Sequence, residues 1–318
     1  MKKELYLILL GVALIATITS CNSNDDGVDK GIEIPGITIT DDIDCCSAEE
    51  ALQVYNFLQT VKIVPELSIS VDGKYNVFAY TPTGSLHVGY NDIYFVATKK
   101  SSGNYIKNYE ISGITPVMLM VKMNMKHSTP VSGSVESFND NYLAVKHGWV
   151  SLLMSTSDAG SWTISYDADI LGKQGKLDEA PIEVSALSEG QAWLKSFKTG
   201  DKTYYISLVN PSDLQTGKNV LQAYVSVKSQ QATVPYALAS EQFIVETDPR
   251  MPDMGNHTSP DNTALTLQED GSYKGTINLT MTGLWRIHVT VKDLQGNVVA
   301  GGDDLKDGFS SLYFDVTI

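Results

Sequence analysis

"DGKYNVFAYTPTGSLHVGYNDIYFVATKK", residues 72–100, decides the fold once it is laid over "GDKTYYISLVNPSDLQTGKNVLQAYVSVK", residues 200–228. Each stretch opens on a tight turn, runs through an alternating strand, turns at proline and glycine, and enters a second alternating strand. The offset is close to 130 residues, and further blocks follow at that offset with gaps of a few residues. "MKHSTPV" from Met125 falls on "GNHTSPD" from Gly255, pairing His127 with His257 and Pro130 with Pro260. "GSWTISYDADI" from Gly160 falls on "GLWRIHVTVKDL" from Gly283, pairing Trp162 with Trp285, and "APIEVSAL" from Ala180 falls on the closing "SLYFDVTI". An unbroken order of matching blocks is the mark of an internal duplication.

Each copy consists of short period-2 runs rich in Val, Ile, Tyr and Thr, bounded by Gly, Asp, Asn and Pro. That pattern predicts an all-β fold of two tandem immunoglobulin-like antiparallel β-sandwich domains. In "WRIHVTV" the alternation places Trp285, Ile287, Val289 and Val291 inside and Arg286, His288 and Thr290 outside. The repeat boundaries put the first sandwich at 62–188 and the second at 189–318. Ahead of them, at 45–61, Ser47-x-x-Glu50 forms a capping box before apolar residues at helical spacing. A short helix from Ala48 to about Gln59 is expected there, capping one end of the first sandwich.

The chain begins with Lys2, Lys3 and the apolar run "LYLILLGVALIA", so residues 1–20 read as an export signal. The run ends in "ITSC", which resembles the lipobox of bacterial lipoproteins, whose cysteine, here Cys21, is lipidated and becomes the new N-terminus. Asn22, Ser23, Asn24, Asp25 and Asp26 resemble the surface-export signal of Bacteroidetes lipoproteins. Together they imply an outer-membrane protein held by its lipid and displayed at the cell surface. Residues 21–44 are polar, acidic and without periodicity, as a flexible tether would be.

A formal charge of −14 disfavours nucleic acid and anionic membrane surfaces as partners. Of three cysteines, Cys21 is assigned to lipid, which leaves the adjacent Cys45 and Cys46. A vicinal disulfide, a thiolate pair for a metal and two free thiols remain open for that pair.

The chain's soft ligands are unevenly spread. Four of its nine methionines, Met118, Met120, Met123 and Met125, fall just before His127, and Met251 and Met254 precede His257. Thioether sulfur selects Cu(I) and neutral imidazole serves both copper oxidation states, so clustered Met and His suit an extracytoplasmic copper site. Met251, Met254 and His257 are spaced by three in a Pro- and Gly-rich loop that could curl around one ion. Met123, Met125 and His127 alternate, which in an extended strand puts all three on one face. A plainer reading stands beside this one: methionine is a pliable core filler, and both histidines could simply buttress their turns. Met118, Met120, Met154 and Met281 lie in apolar surroundings and read as core.

"RMPDMGNH" (250–257), "DGSYKGTINL" (270–279) and "MTGLW" (281–285) resemble the YtkA-like domain family of small exported β-sandwiches. The first half matches more loosely, keeping His127, Pro130 and Trp162 but separating Met154 from "GSW" by an insertion. The resemblance implies the fold more than an activity, since members are similar in size and export to proteins that handle copper outside the cytoplasm. Enzyme chemistry has no support: the sequence has no Gly-x-Ser-x-Gly elbow, His-Glu-x-x-His helix, phosphate loop or dinucleotide fingerprint. The acidic turn "GGDDLKDG" (301–308) lacks an EF-hand's ligand ladder.

The expectation is therefore a non-enzymatic, membrane-anchored lipoprotein binding a soft metal such as copper through Met251, Met254 and His257 and through Met123, Met125 and His127. Of the two sites the second-half loop, with its proline and glycine, is expected to bind more tightly. The rival expectation is a surface binding or structural module that works with an envelope protein or an outer-membrane transporter.

Overall fold

The computed structural model describes residues 33–37, 48–139, 142–187, 193–302, 310 and 312–318, and Ile32–Ile318 form one compact unit. Cys21, Cys45, Cys46, Ser47 and most of the 301–308 turn lie outside the described residues, as do the 188/189 boundary and all of the tether except 33–37. Apart from one helix and four short 3-10 turns the described elements are strands, so the all-β expectation holds. No described helix is long and apolar enough to cross a membrane.

In the first half two antiparallel sheets face each other. One sheet orders Lys62–Ile63, Tyr75–Thr81, Gly89–Lys99, Val145–Leu152 and Glu136–Ser137 side by side; the other orders Lys173–Ile182, Gly160–Ile170, Tyr109–Met120 and Met125–His127. Alternate residues meet between them: Val77, Ile93, Phe95 and Val150 from the first, Ile111, Trp162, Ile164 and Tyr166 from the second. The second half is built differently. All of its strands join one ten-stranded antiparallel ladder, because the short Leu265–Leu267 pairs on one side with Tyr273–Leu279 and on the other with Ile244–Met251. The ladder encloses its own core, in which Trp285, Ile287, Val289 and Val291 are buried as the alternation predicts, but His288, expected outside, is buried too.

The helix runs from Ala48 to Leu58, but it does not cap an end of the sandwich. It lies across the outer face of the first sheet, where Ala51 and Val54 pack with Tyr94, Val96, Tyr105 and Val145. The reason is written in the Gly89–Lys99 strand, whose side chains are buried on both faces nearly throughout. Its inward residues line the sandwich and its outward aromatics require a second cover.

The halves meet in a mixed aromatic and polar junction. Tyr90 and Trp149 from the first half pack with Tyr224 from the second, the Trp149 and Tyr224 rings stacking at 4.4 Å between centroids. Beside them the buried Asp92 carboxylate accepts hydrogen bonds from Tyr90 Oη (2.7 Å), His147 Nε2 (2.8 Å) and, across the junction, Asn210 Nδ2 (3.0 Å). The backbone joins as well, Tyr236 N–H donating to the Thr129 carbonyl (3.0 Å) and Val131 N–H to the Tyr236 carbonyl (3.4 Å).

Candidate functional site

One end of each half carries the same local arrangement. Trp162 Nε1 donates to the Met154 carbonyl and Trp285 Nε1 to the Met281 carbonyl, each at 2.8 Å. Beside each indole a hairpin leads to a histidine: Met118 stands directly opposite His127, and Met251 opposite His257. The glycine of each Gly-x-Trp turn explains why no side chain stands there. A Cβ on Gly160 would overlap the Met118 methyl, and one on Gly283 would stand 3.0 Å from the Met251 methyl. Each glycine is the seat of a buried methionine.

Met251 is therefore misread from sequence as a loop ligand. It is 4% exposed and belongs to the second core, whereas Met254 on the following 3-10 turn is 54% exposed and His257 is exposed. Met251 stands opposite His257 but is held in the core, while Met254 is turned to solvent, so the two methionines face different surroundings. Arg250 and Asp248 also crowd this hairpin, the guanidinium Nε lying 2.8 Å from Asp248 Oδ1.

The first half offers more. Its hairpin is longer, so beyond the Met118–His127 pair it adds Leu119 opposite Lys126 and, on the same face as the first pair, Met120 opposite Met125. Opposed residues, and residues two apart on one strand, share a face, so Met118, Met120, Met125 and His127 point the same way. Met123 departs from the alternation expected of it: it sits on the 3-10 turn Val121–Met123, closed by Asn124 in the left-handed region at φ 46°. Met123 and Met125 are 57% and 58% exposed, while Met118 is sealed in the core and Met120 is partly buried. Burial thus falls off along the face from Met118 to Met125.

His127 is half-buried, its ring edge-on to Trp162 at 5.6 Å and its Nδ1 3.2 Å from the Ser128 carbonyl oxygen. A proton on Nδ1 donated to that carbonyl would leave Nε2 with its lone pair, the tautomer a metal-ligating imidazole requires. Sequence reasoning placed Met154 in the core, yet its side chain is 42% exposed on the loop that approaches the hairpin, where Val121 N–H donates to the Ala159 carbonyl at 3.0 Å. Its homologue Met281 is partly buried, as expected of core. Met154 could have been found from the insertion between it and "GSW", which lengthens the loop that at Met281 is a short bend between two strands.

The remaining histidines are committed elsewhere. His87 Nδ1 lies 2.8 Å from the Val88 carbonyl oxygen, His147 serves Asp92, and His288 Nδ1 lies 2.7 Å from the Ser310 carbonyl oxygen. Among the described residues no three His, Cys, Asp or Glu side chains gather as metal ligands, so the soft groups at the hairpin tips are the candidates.

Residues 198–290 match the family model described as YtkA-like, a span that includes the second Gly-x-Trp turn, its methionine seat and His257. None of the curated proteins compared with the chain matches it. A solved structure described as the conserved domain protein from Bacillus anthracis is 11% identical, with 83% of this chain and 92% of that chain covered. Its TM-score is 0.26, too low to bear on the fold.

Proposed function

We propose that this chain is a non-enzymatic exported lipoprotein, anchored in the outer membrane through Cys21 and displayed at the cell surface. There it binds a soft metal such as copper at its hairpin tips, the principal site lying on the first half. One observation supports this above the rest: Met120, Met125 and His127 share one hairpin face, with Met123 and Met154 exposed beside it. Long apolar side chains clustered in water are unfavourable unless something covers them, and thioethers next to an imidazole offer Cu(I) the donors it prefers. The second tip, with Met254 and His257 as its exposed soft groups, is the weaker site, which reverses the order expected from sequence.

The experiment is a Cu(I) titration of the mature chain against a chromophoric chelator under reducing conditions. His127→Ala and Met125→Ala are each expected to weaken the tighter binding by about tenfold or more, and Met254→Ala to leave it unchanged. Failure of the parent chain to take Cu(I) from the chelator would sink the metal reading. The exposed methionines would then favour a docking surface for an envelope protein, since Met side chains adapt to varied partners.

A further inference from the structure

The two halves differ at one sheet edge. In the second, Leu265–Leu267 lies between two strands, with Thr266 opposite both Lys274 and Ile244. Its counterpart Glu136–Ser137 pairs with Val145–Leu152 alone, Ser137 standing opposite Lys146. The strand it would have to reach, Tyr109–Met120, is held on that side by Met125–His127 at Met118–Met120 and by Ser128 Oγ donating to the Pro116 carbonyl (2.6 Å). Among the described residues no strand pairs with the 109–115 stretch on its free side. Between that edge and residues 132–136 lies a cleft of about 750 Å³, floored by Lys146. Its size is that of a ligand-binding cleft.

We propose that this cleft is a strand-addition site: it takes one extended segment of another protein, apolar at alternate positions and bearing a lysine or arginine, which completes the edge as Leu265–Leu267 does in the other half. The occupant's backbone is specified by the edge at 109–112, which no described strand covers, since such an edge accepts a strand; beyond it a bulge at Gly113 and Ile114, with Thr115 Oγ1 donating to the Gly113 carbonyl (2.9 Å), interrupts the row. Its apolar alternation is specified by the sister strand, where Leu265 is buried in the core and Thr266 is exposed, and by Ile111, Ile114 and Val135 in the cleft wall. Its charge is specified by Glu110 and Glu136, exposed on opposite walls, while the lining amines are engaged elsewhere, Lys146 Nζ donating to Ser137 Oγ (2.9 Å) and Lys107 Nζ lying 3.5 Å from Glu50. A second copy of this chain is a poor occupant through its own strand of this pattern, because Leu265–Leu267 is locked between two neighbours.

The probe is a labelled peptide of residues 262–268 with one added lysine, NTALTLQK, offered to the soluble mature chain carrying Cys21→Ser. Anisotropy is expected to show saturable binding, and amide hydrogen exchange over 109–114 to slow by about tenfold or more. Ser134→Trp, an exposed wall position outside the core, is expected to abolish both effects. N-methylating the peptide at Leu265 and Leu267, or at Ala264 and Thr266, blocks one edge of the added strand, and one of these two peptides is expected not to bind. The proposal is overturned if millimolar peptide leaves exchange over 109–114 unchanged. Parent-like binding by both methylated peptides, or by the Ser134→Trp chain, overturns it too. Peptide-independent dimerisation that protects 109–114 would also overturn it, by assigning the edge to a second copy.

Discussion

Methionines of identical chemistry take opposite roles here according to what stands across the sheet from them. Met251 points its methyl at Gly283 and fills the core; Met254, three residues on, sits on an exposed turn. Deleting the first leaves a cavity in packed surroundings, so Met251→Ala is expected to cost about 2 to 5 kcal/mol in urea unfolding of the metal-free chain. Met254→Ala should stay within about 0.5 kcal/mol. Sequence spacing could not separate the two, because the residue that decides the matter, Gly283, is remote along the chain and is recognisable as a seat only once the strands are paired. The reverse error, Met154 read as core, has the same origin: burial is set by a neighbouring loop and not by local apolarity.

At the scale of elements, the strand alternation and the helix at Ala48–Leu58 were legible, since each rests on periodicity within a short window. What escaped was pairing between distant segments. The bridge made by Leu265–Leu267 is too short to announce itself, and it depends on a glycine in the strand it crosses: a Cβ on Gly275 would stand 2.7 Å from the carbonyl oxygens of both Thr263 and Ala264. Backbone cannot retreat there as a side-chain tip could. Gly275→Ala is therefore expected to destabilise the chain by about 1 to 3 kcal/mol and to speed amide exchange at Val245 and Leu265. Gly133→Ala, where nothing lies within 4 Å, serves as the neutral control. The helix was foreseen, but its position on the sheet's outer face was not, because a doubly buried strand and a singly buried one differ only in how their outward residues are covered.

For the molecule as a whole, the junction makes the two halves one body in place of two beads on a string. Asp92 is its polar centre. Burial works to raise the carboxyl's pKa, but hydrogen bonds from His147, Asn210 and Tyr90, with the charge of His147, hold it below the ordinary value. A carboxyl whose folded pKa is depressed contributes stability that is fully present above its unfolded pKa of about 3.9 and is lost as pH falls through the folded value. Stability measured by urea unfolding should therefore drop more steeply below about pH 4 in the parent than in Asp92→Asn. At neutral pH Asp92→Asn should itself cost about 1 to 3 kcal/mol, because His147 and Asn210 then face a group that no longer accepts from both. Equal acid slopes in the two proteins would show that other carboxylates control acid unfolding. The sequence carried no hint of this junction, whose members come from six separate strands and loops.

The two indoles buried under the tips also give the protein an optical readout of its own. Trp162 lies edge-on to His127 and is tied to Met154, Trp285 is tied to Met281, and Trp149 lies in the stack between the halves. Tip one, tip two and the junction each have their own chromophore, and Trp→Phe replacements should separate their emission. Copper at the first tip would quench Trp162 while leaving Trp285 bright, whereas a shift of one half against the other would be seen at Trp149. Occupancy of either tip and the integrity of the junction, which a single affinity would merge, are thus readable as separate colours and lifetimes in one unlabelled molecule.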